Sequence, residues 1–181
     1  MPGGNISVTA QGGDVVLTTG SRLDAGGTRR DDRVAGNQTA APALKGGSVS
    51  LTALDDVVLA QGSEVDVSGA AWRGADGSLV KGRAGTLSVK VNNGASSAGG
   101  AMPDGMPILA GTLSGFDFSG GGTLVLGGLP SVVLGGAREG AFSLSTGLYA
   151  DRGFGTVKVE SLGHVDAVSY THLTLPTKRI V

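Results

Sequence analysis

The sequence predicts an all-β fold, a β-solenoid with loop insertions, and three observations carry that expectation: abundant glycine, short alternating apolar runs and an internal repeat. Glycine fills 34 of the 181 positions, well above the roughly 7% of an ordinary domain. Hydrophobic residues reach 40%, enough for a core, whereas aromatic residues make up only 4% and charged residues 16%. So much glycine disfavours helices. Collagen would need it at every third position, and a disordered chain would lack the Val, Leu and Ile that recur between these glycines. What remains is a chain of short strands joined by tight corners, where glycine reaches positive φ without steric cost.

The repeat decides the fold, because self-similarity at a fixed period is the signature of stacked architectures. Residues 3–27 read GGNISVTAQGGDVVLTTGSRLDAGG and align, with a single one-residue gap, to residues 46–70, GGSVSLTALDDVVLAQGSEVDVSGA. In the second copy, strands are expected over 48–53, 56–60 and 63–68, with Asp55, Gln61, Gly62 and Gly69 at or near the corners. Three strands per turn is the logic of a solenoid. Val49, Leu51 and Ala53 fall on one face, and Ser48, Ser50 and Thr52 on the other.

Later copies keep one landmark, an Asp flanked by apolar residues before a Gly or Ser corner: Asp24, Asp66, Asp117 and Asp166. The spacing of these residues exceeds the roughly 20 to 30 residues of one coil, so each repeat is expected to carry an insertion or an additional coil. Polar insertions are expected over 28–45, 71–84 and 92–106, and further strands over 86–91, 112–118, 123–126, 131–134, 141–146 and 155–160. These features assign 1–167 to a solenoid segment of a larger protein. The run VSYTHLTLPTKRIV, residues 168–181, differs in composition and resembles the translated read-through of sequencing adapters, so it is expected to be a non-native tail.

The repeats GGSVSLTALDDVVLAQGSEVDVSG and FGTVKVESLGHVDAV, with FDFSGGG between them, resemble the C-terminal part of filamentous haemagglutinin-like large exoproteins over residues 3–167. That resemblance implies a right-handed parallel β-helix, secretion through an outer-membrane two-partner secretion transporter, and residence at the cell surface. It further implies an adhesin whose partner is a glycan or protein on a host or neighbouring cell. The family's N-terminal secretion domain and any C-terminal toxin are not found in these residues, and no family binding residue maps to a numbered position. An export signal is expected upstream, since Met-Pro-Gly-Gly lacks a basic region followed by an apolar stretch.

No enzyme chemistry, cofactor or metal is expected. Parallel β-helices also host polysaccharide-cleaving enzymes, which need two carboxylates about 5 to 10 Å apart across one bond. Asp55 and Asp56 are adjacent and read as a turn. Asp24, Asp66, Asp117 and Asp166 are expected at corners, where Asp hydrogen-bonds backbone amides, although stacking on neighbouring coils would form a carboxylate row. The calcium-binding nonapeptide of other solenoids does not occur.

His164 and Asp166 share one side of a strand with Val165 pointing inward, and no third partner for a triad is evident. Gly77 and Gly82 have phosphate-loop spacing but are followed by Arg83-Ala84, and Arg73-Gly74-Ala75-Asp76 is not an integrin motif. Asn5-Ile6-Ser7 and Asn37-Gln38-Thr39 are formal glycosylation sequons, and His172 lies in the tail. Phe116 and Phe118 are expected in the core on one face, and Trp72 beside Arg73 in an exposed loop is the contact candidate.

A net charge of −1 gives no reason to expect nucleic acid, and no apolar run is long enough for a membrane span. The absence of cysteine excludes disulfides and cysteine-based zinc sites. The expected function is a structural shaft or adhesin segment of a surface exoprotein. A polysaccharide-acting β-helix enzyme and the stalk of a contact-dependent toxin exoprotein are the alternatives.

Overall fold

The computed structural model describes residues 3–32, 43–93, 104–148 and 151–167. The tail 168–181, the centres of the insertions 28–45 and 92–106, the Asn37 sequon, Tyr149 and His172 lie outside the described residues.

The chain is all-β with parallel sheets, built in successive passes. The first pass places β1 (Asn5–Ala10), β2 (Val15–Leu17), β3 (Arg22–Asp24) and the short β4 (Arg30–Asp31). The second places β5 (Ser48–Ala53), β6 (Val57–Leu59), β7 (Glu64–Asp66), β8 (Ala71–Arg73) and β9 (Leu79–Lys81). The third adds β10 (Thr86–Lys90), β11 (Pro107–Leu109) and β12 (Thr112–Ser114). The fourth adds β13 (Gly122–Leu129), β14 (Val132–Leu134) and β15 (Phe142–Leu144), and the last β16 (Phe154–Ser161) and β17 (Val165–Ala167).

Five of these strands form one parallel sheet in chain order, β1-β5-β10-β13-β16. The first three passes also lay one strand each on two smaller parallel sheets, β2-β6-β11 and β3-β7-β12. In-register parallel pairing places like positions on like positions, so the core is a set of columns. Ile6, Val49, Leu87, Leu124 and Val157 form one column, and Val8, Leu51, Val89, Leu126 and Val159 the next. From the second pass to the fourth these side chains are fully or almost fully buried. Val65 and Leu113 face them from the third sheet, and Val57 and Leu59 from the second.

Glycine has two distinct tasks at the corners. Gly128 adopts φ 73, and a Cβ there would lie 1.8 Å from the Val91 carbonyl oxygen. Gly47 and Gly85 have no left-handed backbone; they permit close approach. A Cβ on Gly47 would lie 1.7 Å from the Gly4 carbonyl oxygen, and one on Gly85 would lie 1.7 Å from that of Gly47. Those same carbonyls accept N–H bonds from Ser48 and Thr86, each at 3.1 Å.

After the third pass the pattern changes. β14 pairs with β15 on one side and β17 on the other, and neither extends the β2-β6-β11 sheet. Register shifts at Gly122/Thr123 and Leu126/Leu129 accompany the change. Asn92, buried and at φ 53, fastens this region: its side-chain amide donates to the carbonyls of Gly105 and Gly128, and its oxygen accepts from Gly105 N–H.

Three expectations are corrected. The strand expected over 112–118 ends at Ser114, because Gly115 turns under the buried Phe154 ring, 2.5 Å from where a Cβ would be. Phe116 and Phe118, expected in the core, are therefore exposed by 51% and 58%. Val165, expected to point inward, is 55% exposed, on the last described strand with no described pass beyond it.

Truncating a core column tests this arrangement. Leu51→Ala is expected to cost about 2–5 kcal/mol in urea unfolding, whereas Val16→Ala, outward on β2, is expected to cost less than about 1 kcal/mol.

Candidate interaction surface

The second-pass insertion is structured. Residues 71–81 form an antiparallel hairpin, with Ala71, Trp72 and Arg73 of β8 opposite Lys81, Val80 and Leu79 of β9. The turn follows from Asp76-Gly77: the Asp76 carboxylate accepts from Ser78 N–H at 2.9 Å, and Gly77 takes φ 84. Parallel pairing of β4 with β8 then joins the first-pass insertion to the second-pass hairpin in one sheet, β4-β8-β9.

Asp32 ties the two insertions together. Its side chain is buried, the residue being 1% exposed. Arg30 grips it with two hydrogen bonds, Nε to Oδ1 at 2.7 Å and Nη2 to Oδ2 at 2.8 Å. The Trp72 indole N–H donates to Oδ2 at 2.6 Å. A bidentate guanidinium and an indole donor satisfy a carboxylate that burial alone would penalise. The Arg30 hydrogen bonds hold the Asp32 carboxyl below its ordinary value of 3.8, against the opposing effect of burial and with help from Trp72. Trp72 is thus half-buried and anchored, not the free loop aromatic expected from its neighbours.

Antiparallel partners share a face, so Ala71, Arg73, Leu79 and Lys81 lie on one side of the hairpin and Trp72 and Val80 on the other. Lys81 Nζ sits 5.4 Å from the centre of the Phe118 ring. Phe118 is held there by Asp117, whose Oδ1 accepts from the amides of Ser119, Gly120 and Gly121, each at 2.7 Å, and whose Oδ2 accepts from Ala84 N–H at 2.9 Å. Burial pushes the Asp117 carboxyl up, but the Gly121, Ala84, Ser119 and Gly120 amides outweigh it and leave the carboxyl below its ordinary value.

The four landmark aspartates do not form one row. Asp24 and Asp66 stack in register on β3 and β7, but the position above Asp66 is Ser114. Asp117 lies beyond that strand at the corner, and Asp166 sits on β17 opposite Val133, paired with Arg138. Each of the first three serves a corner: Asp24 accepts from Gly26 N–H and Asp66 from Ser68 N–H.

Asp56 follows the same rule between passes. Its N–H donates to Asp14, and its carboxylate accepts from Met106 N–H. Asp55 is at the turn beside it, its N–H bonded to Gly13. His164 is exposed before β17. Gly77 is the hairpin turn, and Gly82 packs against the Leu44 carbonyl, so neither cradles a phosphate. The Asn5 side chain accepts from the Ser48 hydroxyl at 2.8 Å. Among the described residues, no three acidic or histidine side chains come close enough to hold a metal ion together.

The resulting surface presents Arg73, Leu79, Lys81 and Phe118 together, with Phe116 at the same corner as Phe118. The pairing of Trp72 with Asp32 escaped sequence reasoning because the two lie 40 residues apart with no periodic signal between them. The hairpin itself had a signal, an Asp-Gly turn between two short strand-forming triplets.

The clamp gives a pH prediction. Since the folded-state pKa of Asp32 is depressed, its contribution is present above the ordinary value of 3.8 and is lost as pH falls through the lower folded value. Trp72 is the only tryptophan, so its emission reports on the clamp. A red shift is expected on acidification below that value in the wild type, and already at neutral pH in Asp32→Ala.

Compared with protein-family models, with curated proteins and with solved structures, the chain matches none.

Proposed function

We propose that the chain is a segment of a right-handed parallel β-solenoid and serves as a structural shaft in a secreted, surface-exposed filamentous haemagglutinin-like adhesin. The observation that carries this reading is the in-register stacking of like strands on three sheets through the first three passes. Such stacking satisfies the backbone of each pass with its neighbours and can be extended by repetition into a rod. The hairpin and the first-pass insertion leave this stack at one side, where a contact can form without disturbing the columns. Export would use an outer-membrane two-partner secretion transporter, and the ligand would be a surface glycan or protein of another cell.

Beads coated with the protein and incubated with cultured cells test the proposal. Attachment is expected, and replacing residues 72–80 with a two-glycine turn should lower it at least tenfold while circular dichroism stays β-rich. Unchanged attachment would place the contact elsewhere. Turnover of a polysaccharide panel, lost in Asp66→Asn, would overturn the adhesin reading in favour of an enzyme.

A further inference from the structure

Among the described residues, the hairpin ends in a strand whose outer edge is open. In the sheet order β4-β8-β9, β9 has a neighbour on one side only. Gly82 N–H bonds to the Ala70 carbonyl and Gly74 N–H to that of Ser78, which sets the alternation of the pair. By that alternation Val80 turns its N–H and C=O toward Trp72, and Leu79 and Lys81 turn theirs away from β8. Among the described residues no hydrogen bond uses those outward groups of Leu79 and Lys81.

The side chains on this edge leave apolar surface exposed. Leu79 is 53% exposed and Val80 42%, one on each face. Edge strands are normally blunted by charge, and Lys81 is the only charge on β9. Its ammonium is drawn over the Phe118 ring, to the side of the strand that also carries Arg73. No carboxylate of the described residues forms an ion pair with Arg73, Lys81 or Arg83. The edge therefore offers backbone donors and acceptors, Val80 on one face, and on the other Leu79 with the cations Arg73 and Lys81, where Asp31 lies in register beside Arg73 on the side away from the open edge.

We propose that the outer edge of β9 docks an extended protein segment as an added strand, with acidic side chains toward Arg73 and Lys81 and apolar side chains toward Trp72 and Val80. Backbone hydrogen bonds to Leu79 and Lys81 supply the pairing, and the two faces supply selectivity, since successive residues of the incoming strand point to opposite sides. The Asp32 clamp holds β8 in place beforehand, so little ordering remains for the docking step. This rests on the hairpin being the contact-bearing insertion and names the class of partner it takes. It does not depend on the passes continuing into a rod.

The test uses the full chain and synthetic eight-residue peptides alternating Asp and Val. Binding is read by amide chemical shifts and by Trp72 emission. The Asp/Val peptide is expected to shift the Leu79 and Lys81 amide signals. A Lys/Val peptide, or an Asp/Val peptide N-methylated at every second residue, should bind at least tenfold more weakly.

Leu79→Pro removes one outward N–H while leaving the bonds to β8, and should weaken binding with Trp72 emission unchanged. If that variant loses the hairpin, Arg73→Glu combined with Lys81→Glu replaces it, and reversal of preference toward the Lys/Val peptide is expected. Equal binding of the methylated peptide, or no binding of Asp/Val peptide, would overturn the proposal. So would capture by phosphatidylglycerol vesicles without peptide binding. Cell attachment that persists alongside a negative peptide result would leave the adhesin reading standing and sink only the strand-docking one.

Discussion

Backbone approaches backbone most closely at a column of glycines on one corner, and the remaining architecture depends on that proximity. The carbonyls of Gly4, Gly47 and Gly85 accept N–H bonds from Ser48, Thr86 and Thr123, so each pass is pinned to the one before it at the same point. A side chain on Gly47 or Gly85 would occupy the position of the carbonyl it packs against. Once this corner is set, register along the five-stranded sheet follows, and with it the stacking of Val on Leu and Leu on Leu in the core. Hydrophobic burial supplies the driving force, about 1.5–3 kcal/mol for each fully buried Leu or Val. The glycines determine which residues share a column.

Corners must also dispose of amides that no strand accepts, and this accounts for most of the acidic residues discussed above. Asp24, Asp66 and Asp117 each take one or more local N–H groups, while Asp14 and Asp56 take N–H groups from the following pass. Asn92 performs the equivalent task inside the core, where a charge would be costly, and its neutral amide both donates and accepts. The carboxylates are thus largely spent on the backbone. Chemistry available to a partner is concentrated where side chains face outward without such a duty, on the hairpin and the Phe116–Phe118 corner.

Much of this was legible in the sequence, and what was not has a physical cause. The alternation in residues 48–53 and the Gln61-Gly62 corner follow from short-range patterning: Val49, Leu51 and Ala53 are buried, and Gly62 adopts φ 83. Phe116 and Phe118 misled because spacing of two residues implies a shared strand face only where a strand exists. Gly115 ends the strand first, for lack of room beside Phe154. The corner role expected of the four aspartates is seen for Asp24, Asp66 and Asp117, whereas Asp166 lies within a strand opposite Val133 and pairs with Arg138. The Asp32 clamp depends on contact between two passes and leaves no trace in either segment alone.

That clamp alters how the insertions can change over time. An insertion projecting alone from a repeated scaffold could lengthen, shorten or exchange its residues independently. Here Arg30 and Asp32 from one pass and Trp72 from the next share a single buried carboxylate. Loss of the indole would leave a buried carboxylate short of a donor, and loss of the carboxylate would remove the acceptor of the indole N–H. The two segments are therefore coupled through one buried contact, and a change of residue in either alters the packing of both.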